Sequence, residues 1–440
     1  MVEKKKQNPV GILGKIYVGV LIFIFGLIVI HAPLTVAFGT LWPKYDLLIK
    51  SWKEILMLLI GPLAIYLMYK SGKIKKIIRD PIIILIAAFA LLHILLLFVF
   101  HDGISETLAG LAIDLRFVLY FALVYIALCL YPQYRRLFIK VGIAGALVVL
   151  IFAFLQVFIL PYNILKYIGY NKHTIVPYLL VDRNRAFVRI NSTLRGPNPV
   201  GAYASMVLTM LLAAVTKKKV KKEKWPIAIA VILLVGALVA LWASYSRSAQ
   251  IGVIVSIAIV LVAVYYKRLS KKVWITIAVI LLLLAGGLGL FAAHDSSFIS
   301  NVVLHTNPAA VKIPGANEGH INSIENAFNL FLHNPLGGGV GTTGSASLMG
   351  SHMVIIEDQY LFVAHEAGWL GLVLFLSISV LILVRLWKLR SDWFALGVFA
   401  SGIGLMVIGI FLPVWTDDTV SIIWWGLAAI ALFPNNKDYN

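Results

Sequence analysis

The sequence predicts an all-α protein, a bundle of about twelve transmembrane helices that forms one membrane domain over residues 1–440. Three observations predict this fold. Of the 440 residues, 61% are hydrophobic and only 13% are charged, whereas a soluble domain carries about 25% charged residues. Twelve apolar runs approach the roughly 17–25 residues that a membrane-spanning helix needs. Short lysine-rich segments such as 217-KKKVKKEK-224 separate these runs.

The apolar runs set the expected spans. The first run follows Lys4-Lys5-Lys6, as in a signal peptide, but no small-residue cleavage site follows it, so we expect an uncleaved helix. The single cysteine, Cys129, excludes an internal disulfide and a cysteine-based metal site. The expected spans are 16–32, 54–69, 82–100, 108–131, 141–160, 199–216, 225–244, 251–266, 273–293, 359–384, 394–413 and 420–433.

The basic residues divide unequally between the two sides of these spans. Segments on one side total 66 residues and hold 26 Lys and Arg, whereas segments on the other side total 143 residues and hold 11. This is the positive-inside pattern, which predicts a multi-pass protein of the cell membrane with both termini in the cytoplasm. The net charge of +19 therefore reflects topology, and we expect no binding of nucleic acid.

Two of the outside segments are long: 161–198 and 294–358. The cytoplasmic loops have no room for a folded domain, so we expect any active site to be extracytoplasmic. Because ATP is absent there, a substrate has to bring its own energy, for example as a lipid-linked pyrophosphate.

The loop 161–198 is rich in arginine, which opposes the topological bias. Its cations are Lys166, Lys172, Arg183, Arg185, Arg189 and Arg195, against one acid, Asp182. Arginine binds phosphate through two parallel hydrogen bonds, so the loop is predicted to hold a pyrophosphate head group. The alternative is a loop that contacts water or lipid headgroups. Asn198 follows as a plausible cap of the next helix.

Two further arginines are candidate anion ligands. Arg247 lies alone in the outside turn 244–250, where it either reaches lipid headgroups or completes an anion site with Arg189. Arg116 lies with Asp114 inside the span 108–131. Ionisable groups in a membrane are costly and usually face a cavity or a partner, so these two either line a pocket or bond neighbouring helices.

The large loop 294–358 is expected to carry an amphipathic helix. Ile321, Ile324, Phe328 and Phe331 recur at helical spacing, while His320 lies among polar residues on other faces. A literal G-x-G-x-x-G at 339–344 lacks the strand and βαβ unit of a dinucleotide site, so we interpret it as a chance match. Glu357 then precedes the next span, either as a general base or as a solvated side chain.

The order of four motifs resembles the O-antigen ligase and polymerase family of membrane glycan-lipid enzymes. The family's R-x-x-G-T-[FL]-x-x-P-N is similar to Arg189–Asn198, and its S-x-S-R is matched by Ser244–Arg247. Its N-P-L-x-G-x-G resembles Asn334–Gly341, and its last motif begins here at Glu357-Asp358-Gln359-Tyr360-Leu361 and continues through Glu366, Gly368 and Gly371.

The resemblance implies a membrane glycosyltransferase that assembles cell-surface polysaccharide in the cell envelope. Its donor would be an oligosaccharide on undecaprenyl diphosphate or another polyprenyl diphosphate. Its acceptor would be a hydroxyl of a glycan or a glycolipid. The resemblance implies no metal and no cofactor. Arg189 and Arg247 would bind the diphosphate in a site surrounded by membrane lipids. The residues expected to line the site are Arg195, Asn198, Arg116, Tyr360 and His320.

The chain departs from the family pattern at two places. Ser192 replaces the glycine of the first motif, and Glu357-Asp358 replaces the His-Asn pair of the last. The resemblance therefore places Glu357 where the family has its acceptor-activating histidine, with His352 and His320 as alternative bases. This departure leaves ligase, polymerase and other glycan transferases open.

A transporter or flippase of lipid-linked glycans is the alternative from another class. Twelve spans suit it, but transporters are often built from internal repeats. The two long loops follow the fifth and ninth spans, so they do not correspond between the halves. The sequence favours the enzyme.

Overall fold

A computed structural model describes residues 11–100, 103–181, 184–216, 227–266, 316–350 and 354–434, with the backbone alone for 316–322. The described chain is almost entirely helical, which confirms the all-α class. In the first part of the chain the helices are α1 (Ile12–Leu27), α2 (His31–Leu41), α3 (Asp46–Lys50), α4 (Trp52–Lys70), α5 (Ile74–Ile78), α6 (Pro81–Leu96), α7 (Ile104–Leu130) and α8 (Arg135–Phe158).

In the second part a hairpin precedes the remaining helices. Its strands are β1 (Tyr178–Val181) and β2 (Asn184–Ile190), and the helices are α9 (Pro197–Thr216), α10 (Ile227–Ser244), α11 (Arg247–Tyr265), α12 (Ala316–His333), α13 (Gln359–Lys388), α14 (Trp393–Gly409) and α15 (Asp418–Ala431). Short 3₁₀ turns connect several of them, such as Ile28–Ile30 between α1 and α2.

Eight helical segments within the described residues are long and apolar enough to cross a membrane. They are Ile12–Leu41, Trp52–Lys70, Ile104–Leu130, Pro132–Phe158, Pro197–Thr216, Ile227–Ser244, Arg247–Tyr265 and Gln359–Lys388. The shorter apolar helices α6, α14 and α15 coincide with three further expected spans. The expected span 273–293 lies outside the described residues, so the count of about twelve stays a prediction.

The bundle is held together by contacts between distant parts of the chain. Helix α9 packs against α10, α11 and α14, and α7 packs against α15 and α4. Where α7 meets α15, Trp425 lies 5.0 Å from Phe117 and 5.9 Å from Phe121 between ring centroids. Buried aromatic pairs of this kind add about 0.5–1.5 kcal/mol each beyond their area burial. They fix the middle of α15 beside the middle of α7.

The arginine-rich loop 161–198 is not structureless. Strands β1 and β2 pair antiparallel, with Leu179 opposite Arg189 and Tyr178 opposite Ile190. The strands are rich in branched and aromatic residues, as strand propensity requires. The hairpin was not expected from the sequence, and it fixes the direction in which Arg189 leaves the backbone.

The large loop is described from residue 316 onward. Helix α12 lies where a helix was expected, and it packs against α13. After it, the chain forms a glycine-rich turn rather than a strand–helix unit, as the interpretation of G-x-G-x-x-G as a chance match expects. Residues 294–315 of this loop lie outside the described residues. The extracytoplasmic placement of both loops stays a prediction.

Candidate functional site

A cavity of about 360 Å³ lies where the starts of α9 and α15, the end of α14 and the segment before α13 meet. Arg195, Asn198 and Glu357 line it. These residues come from two motifs about 160 positions apart in sequence, and the fold brings them to one space. Pockets of roughly 300–1,000 Å³ are the usual size for small-ligand sites.

Arg189 holds the cavity wall in place. Its Nη2 donates to Asn198 Oδ1 at 2.6 Å, and its Nε donates to the Ser244 carbonyl at 2.8 Å. Arg189 therefore joins β2, the start of α9 and the end of α10. Two of the expected site motifs, Arg189–Asn198 and Ser244–Arg247, therefore meet at its half-buried guanidinium.

Ser192 explains why a glycine is expected in the first motif. Its φ is +50°, in the left-handed region that favours glycine. The serine is held there because its N–H donates to Gln156 Oε1 at 2.9 Å and its hydroxyl donates to the Val149 carbonyl at 2.7 Å. The departure from the family pattern thus preserves the turn that leads from β2 to Arg195.

Arg247 is the first residue of α11 and is half-buried. It follows the turn at Tyr245, whose φ is +46°. Ser244 in the same turn accepts from Arg189, so the two arginines approach the same connection. Arg247 is not among the described residues that line the smaller cavity.

A larger cavity of about 630 Å³ adjoins the smaller one, and Arg116 lines it. Arg116 donates to Asp418 at the start of α15 and to the Thr416 carbonyl. Asp418 also lies 2.8 Å from Lys53 Nζ and 3.5 Å from His31 Nε2. Lys53, only 2% exposed, lies 3.1 Å from Glu54 as well. Arg116 therefore belongs to a buried network that ties α2, α4, α7 and α15 together.

The Glu357-Asp358 pair divides between two roles. Asp358 Oδ1 accepts from the Tyr360 and Leu361 N–H groups at 2.8 and 2.7 Å, so Asp358 caps α13. Burial raises the pKa of Asp358, although these two N–H groups act in the opposite direction. Glu357 lies one residue earlier, half-buried, in the wall of the smaller cavity.

Tyr360 lies apart from the two cavities, and the side chain of His320 is not among the described residues. The Tyr360 hydroxyl donates to the Met406 carbonyl at 2.7 Å, and among the described residues Tyr360 is not part of either cavity wall. His320 lies in α12, but its side chain is outside the described residues, and so is His352. Their roles stay predictions.

The glycine-rich turn forms part of the wall between the cavities. Glu366, which is 1% exposed, accepts from the backbone N–H groups of Gly341 and Thr343, the latter at 2.9 Å. Gly344 and Ser345 follow directly and line the smaller cavity. Glu366, in the last of the four motifs, thus positions the turn and lines neither cavity.

Sequence analysis missed Asp417, which lines both cavities. Burial raises the pKa of Asp417 to about 6, although the Val420 N–H and the charges of Arg116 and Arg195 act in the opposite direction. The available signal was the pair Asp417-Asp418 at the outer end of the last expected span. This pair could be recognised as part of a site only from the structure, in which α15 packs against α7.

Comparison with known proteins gives a family match to one part of the chain. Residues 232–376 match the family model of the O-antigen ligase. The match covers the second, third and fourth motifs, while the first, Arg189–Asn198, lies just before it. No curated protein gives a significant match to the chain. The resemblance is confirmed: this chain is a multi-pass membrane protein that carries an O-antigen ligase family domain over residues 232–376.

Proposed function

We propose that the protein transfers a glycan from a polyprenyl diphosphate carrier to an acceptor hydroxyl at the extracytoplasmic face of the membrane. The family domain supports glycosyl transfer in polysaccharide assembly as the class of activity. The observation that carries the finer proposal is the convergence of Arg195, Asn198 and Glu357 on one cavity. This cavity would hold the diphosphate and the first sugar of the donor.

The charge around the smaller cavity suits a diphosphate. Arg195 is exposed in its wall, and Arg189 lies behind Asn198. The cavity also meets the start of α9, where backbone N–H groups and the helix dipole favour anions. We propose that Arg189 and Arg247 supply the charge that stabilises the leaving diphosphate, with Arg195 and Asn198 in contact with it.

Three further residues keep a place in the proposal, two through contact with substrate and one through helix packing. Arg116 lines the adjoining larger cavity, where it forms an ion pair with Asp418. Tyr360 would act through the packing of α13 on α14, since its hydroxyl is bonded to Met406. His320, on α12, would contact the glycan.

Transfer requires a base for the acceptor hydroxyl. Glu357 occupies the motif position at which the family has a histidine, and it lines the smaller cavity. Asp417 is a second carboxylate in the same wall. A positioned general base typically contributes about 10²–10⁴-fold to the rate.

The extracytoplasmic assignment rests on the distribution of lysine and arginine. The cavity residues come from segments that the positive-inside pattern places outside, including 161–198 and 414–419. Since no ATP is available on that side, the diphosphate bond of the donor would supply the driving force.

The test uses the purified protein with a polyprenyl-diphosphate-linked oligosaccharide and a polysaccharide or glycolipid acceptor, without ATP or nucleotide sugar. We expect release of free polyprenyl diphosphate together with a lengthened acceptor. A ladder of growing glycans would indicate a polymerase, and a single transferred glycan a ligase. No release with any donor would contradict the proposed function.

A further inference from the structure

The two cavities share a wall. Four residues line both of them: Ile113, Arg195, Ser345 and Asp417. One side of this wall meets the Arg195–Asn198 site proposed for the donor. The other side opens into the larger cavity between α2, α4, α7 and the start of α15, to which the proposed function assigns no part of the donor.

The larger cavity combines an apolar lining with several charged residues, and it is not an anion site. Its charged Lys, Arg, Asp and Glu residues are balanced in sign: Lys50, Lys53, Arg116 and Arg195 against Asp46, Glu54, Asp417 and Asp418. Lys53 and Arg116 are paired with Asp418 and Glu54, so the two positive charges are compensated by two carboxylates. Buried paired charges of this kind offer hydrogen bonds without a net field.

Uncharged hydrogen-bonding groups complete this wall. Thr35, Ser51, Asn171 and Thr174 lie among the lining residues. A cavity of about 630 Å³ with many donors and acceptors and balanced charge matches a hydroxyl-rich glycan better than a second phosphate. The larger cavity is therefore suited to the acceptor.

Asp417 presents one carboxylate oxygen to this junction. Its Oδ1 caps α15 by accepting from the N–H groups of Thr419 and Val420 at 3.1 and 2.9 Å. Within the described part of the chain, no group donates a hydrogen bond to Oδ2. The side chain is half-buried in the wall of both cavities.

We propose that the larger cavity binds the acceptor glycan and that Asp417, where the two cavities meet, takes the proton from the attacking hydroxyl. This proposal rests on the proposed function and extends it to the acceptor. It assigns Glu357 to the donor side, since Glu357 lines the smaller cavity and not the larger one.

The step balances as a substitution at the first sugar carbon. The acceptor oxygen forms a bond to this carbon, while the bond from the carbon to the diphosphate oxygen breaks and its electron pair leaves with the diphosphate. The hydroxyl proton passes to Asp417 Oδ2 and is later released to water. Arg195, which lines both cavities, would lie beside the departing charge.

The surroundings of Asp417 fit a base that works near neutral pH. Its pKa of about 6 reflects burial first, with Asp418 raising it and Arg116 and Arg195 lowering it. Glu357 lies in the same smaller-cavity wall, while His31, Lys53 and Glu54 line the larger cavity from α2 and α4. Because the base has to be deprotonated, transfer should rise with pH through about 6 and level off above.

The test compares Asp417→Asn with Glu357→Gln in the transfer assay. Asparagine caps helices about as well as aspartate, so Asp417→Asn keeps α15 while it removes the base. Asp358→Asn is the matched control, because Asp358 Oδ1 caps α13 through Tyr360 and Leu361 at 2.8 and 2.7 Å and Asp358 lines neither cavity.

We expect Asp417→Asn to lower transfer about 10²–10⁴-fold and to remove the rise through pH 6, with donor binding unchanged. Glu357→Gln should retain the pH profile, and Asp358→Asn should retain wild-type activity. A pH profile lost in Glu357→Gln and kept in Asp417→Asn would overturn the assignment and leave the proposed function standing. A wild-type protein that transfers nothing would overturn both.

The acceptor cavity has its own test. Ala112 lines only the larger cavity, and Ala112→Leu would fill part of it. We expect at least a tenfold higher KM for the acceptor with the donor KM unchanged. A change in the donor KM alone would overturn the assignment of the larger cavity.

Discussion

Arg189 and Asn198 form a hydrogen bond of 2.6 Å that joins the arginine-rich hairpin to the first turn of α9. The bond links the first and last polar residues of one sequence motif. It sets the Asn198 side chain in the wall of the smaller cavity, and the second bond of Arg189, to Ser244, connects this wall to the turn before Arg247.

Replacement of this arginine tests its role in transfer. Arg189→Ala should reduce glycan transfer by about 10²–10³-fold or more, because it removes a cation beside the diphosphate and releases Asn198. Membrane insertion should be normal, since Arg189 lies outside the helices. The measurement is polyprenyl diphosphate release from purified variant protein.

Arg185 provides the matched control on the same strand. It is exposed and lines neither cavity, so Arg185→Ala should transfer at the wild-type rate. Normal polymer in the Arg189→Ala variant would contradict the diphosphate assignment.

The buried charge network predicts a large stability effect at Asp418. Asp418→Asn leaves Lys53 and Arg116 with less compensation, and breaking a buried ion pair typically costs about 3–5 kcal/mol. Thermal unfolding in detergent, followed by tryptophan fluorescence, should show a clearly lower Tm. The control is Asp46→Asn in the exposed pair with Lys50, where a change of less than about 1 kcal/mol is expected. Equal Tm values for the two variants would refute a stabilising role for the network.

Glu366 is predicted to act as a clamp on the glycine-rich turn. Glu366→Ala leaves the N–H groups of Gly341 and Thr343 buried without their acceptor, at a cost of about 1–3 kcal/mol each. Both Tm and transfer should fall, because Ser345 in the cavity wall loses its support. Glu325→Ala, an exposed glutamate on α12, should change neither. Unchanged stability in Glu366→Ala would show that the turn is held by other contacts.

Gly368 is predicted to be irreplaceable in α13. Its φ and ψ are +68° and −173°, a conformation that only glycine adopts readily, and an added Cβ would lie 2.5 Å from the Pro335 carbonyl oxygen. Gly368→Ala should lower stability by at least about 1–3 kcal/mol. Gly19→Ala in α1, where a Cβ meets nothing within 4 Å, should be neutral or stabilising. A Tm loss at Gly19 as large as at Gly368 would contradict this explanation.

The spans could be predicted from sequence because a helix that crosses lipid needs a long apolar run. A single segment in lipid forms a helix because the helix satisfies all of its backbone hydrogen bonds internally. Eleven of the expected spans coincide with helices. The hairpin could not be predicted with the same ease. Strands β1 and β2 are short, and their pairing depends on contacts with α8 and α10 that a hydropathy pattern does not contain.

The site was predicted in part for a similar reason. Arg189, Arg195, Asn198 and Glu357 belong to motifs that a sequence displays directly. Asp417 forms no motif, and its significance depends on which helix ends meet. Arg116 and Asp418 are 302 positions apart, and only the packing of α15 on α7 reveals that they share a network.

The most direct test of the central claim reconstitutes the purified protein in proteoliposomes that contain a polyprenyl-diphosphate-linked oligosaccharide, with acceptor outside and no ATP or nucleotide sugar. Free polyprenyl diphosphate and acceptor-linked glycan are measured together with movement of the donor between leaflets. The account predicts equal amounts of released diphosphate and transferred glycan. Movement of intact donor across the membrane without diphosphate release would contradict it and identify a transporter.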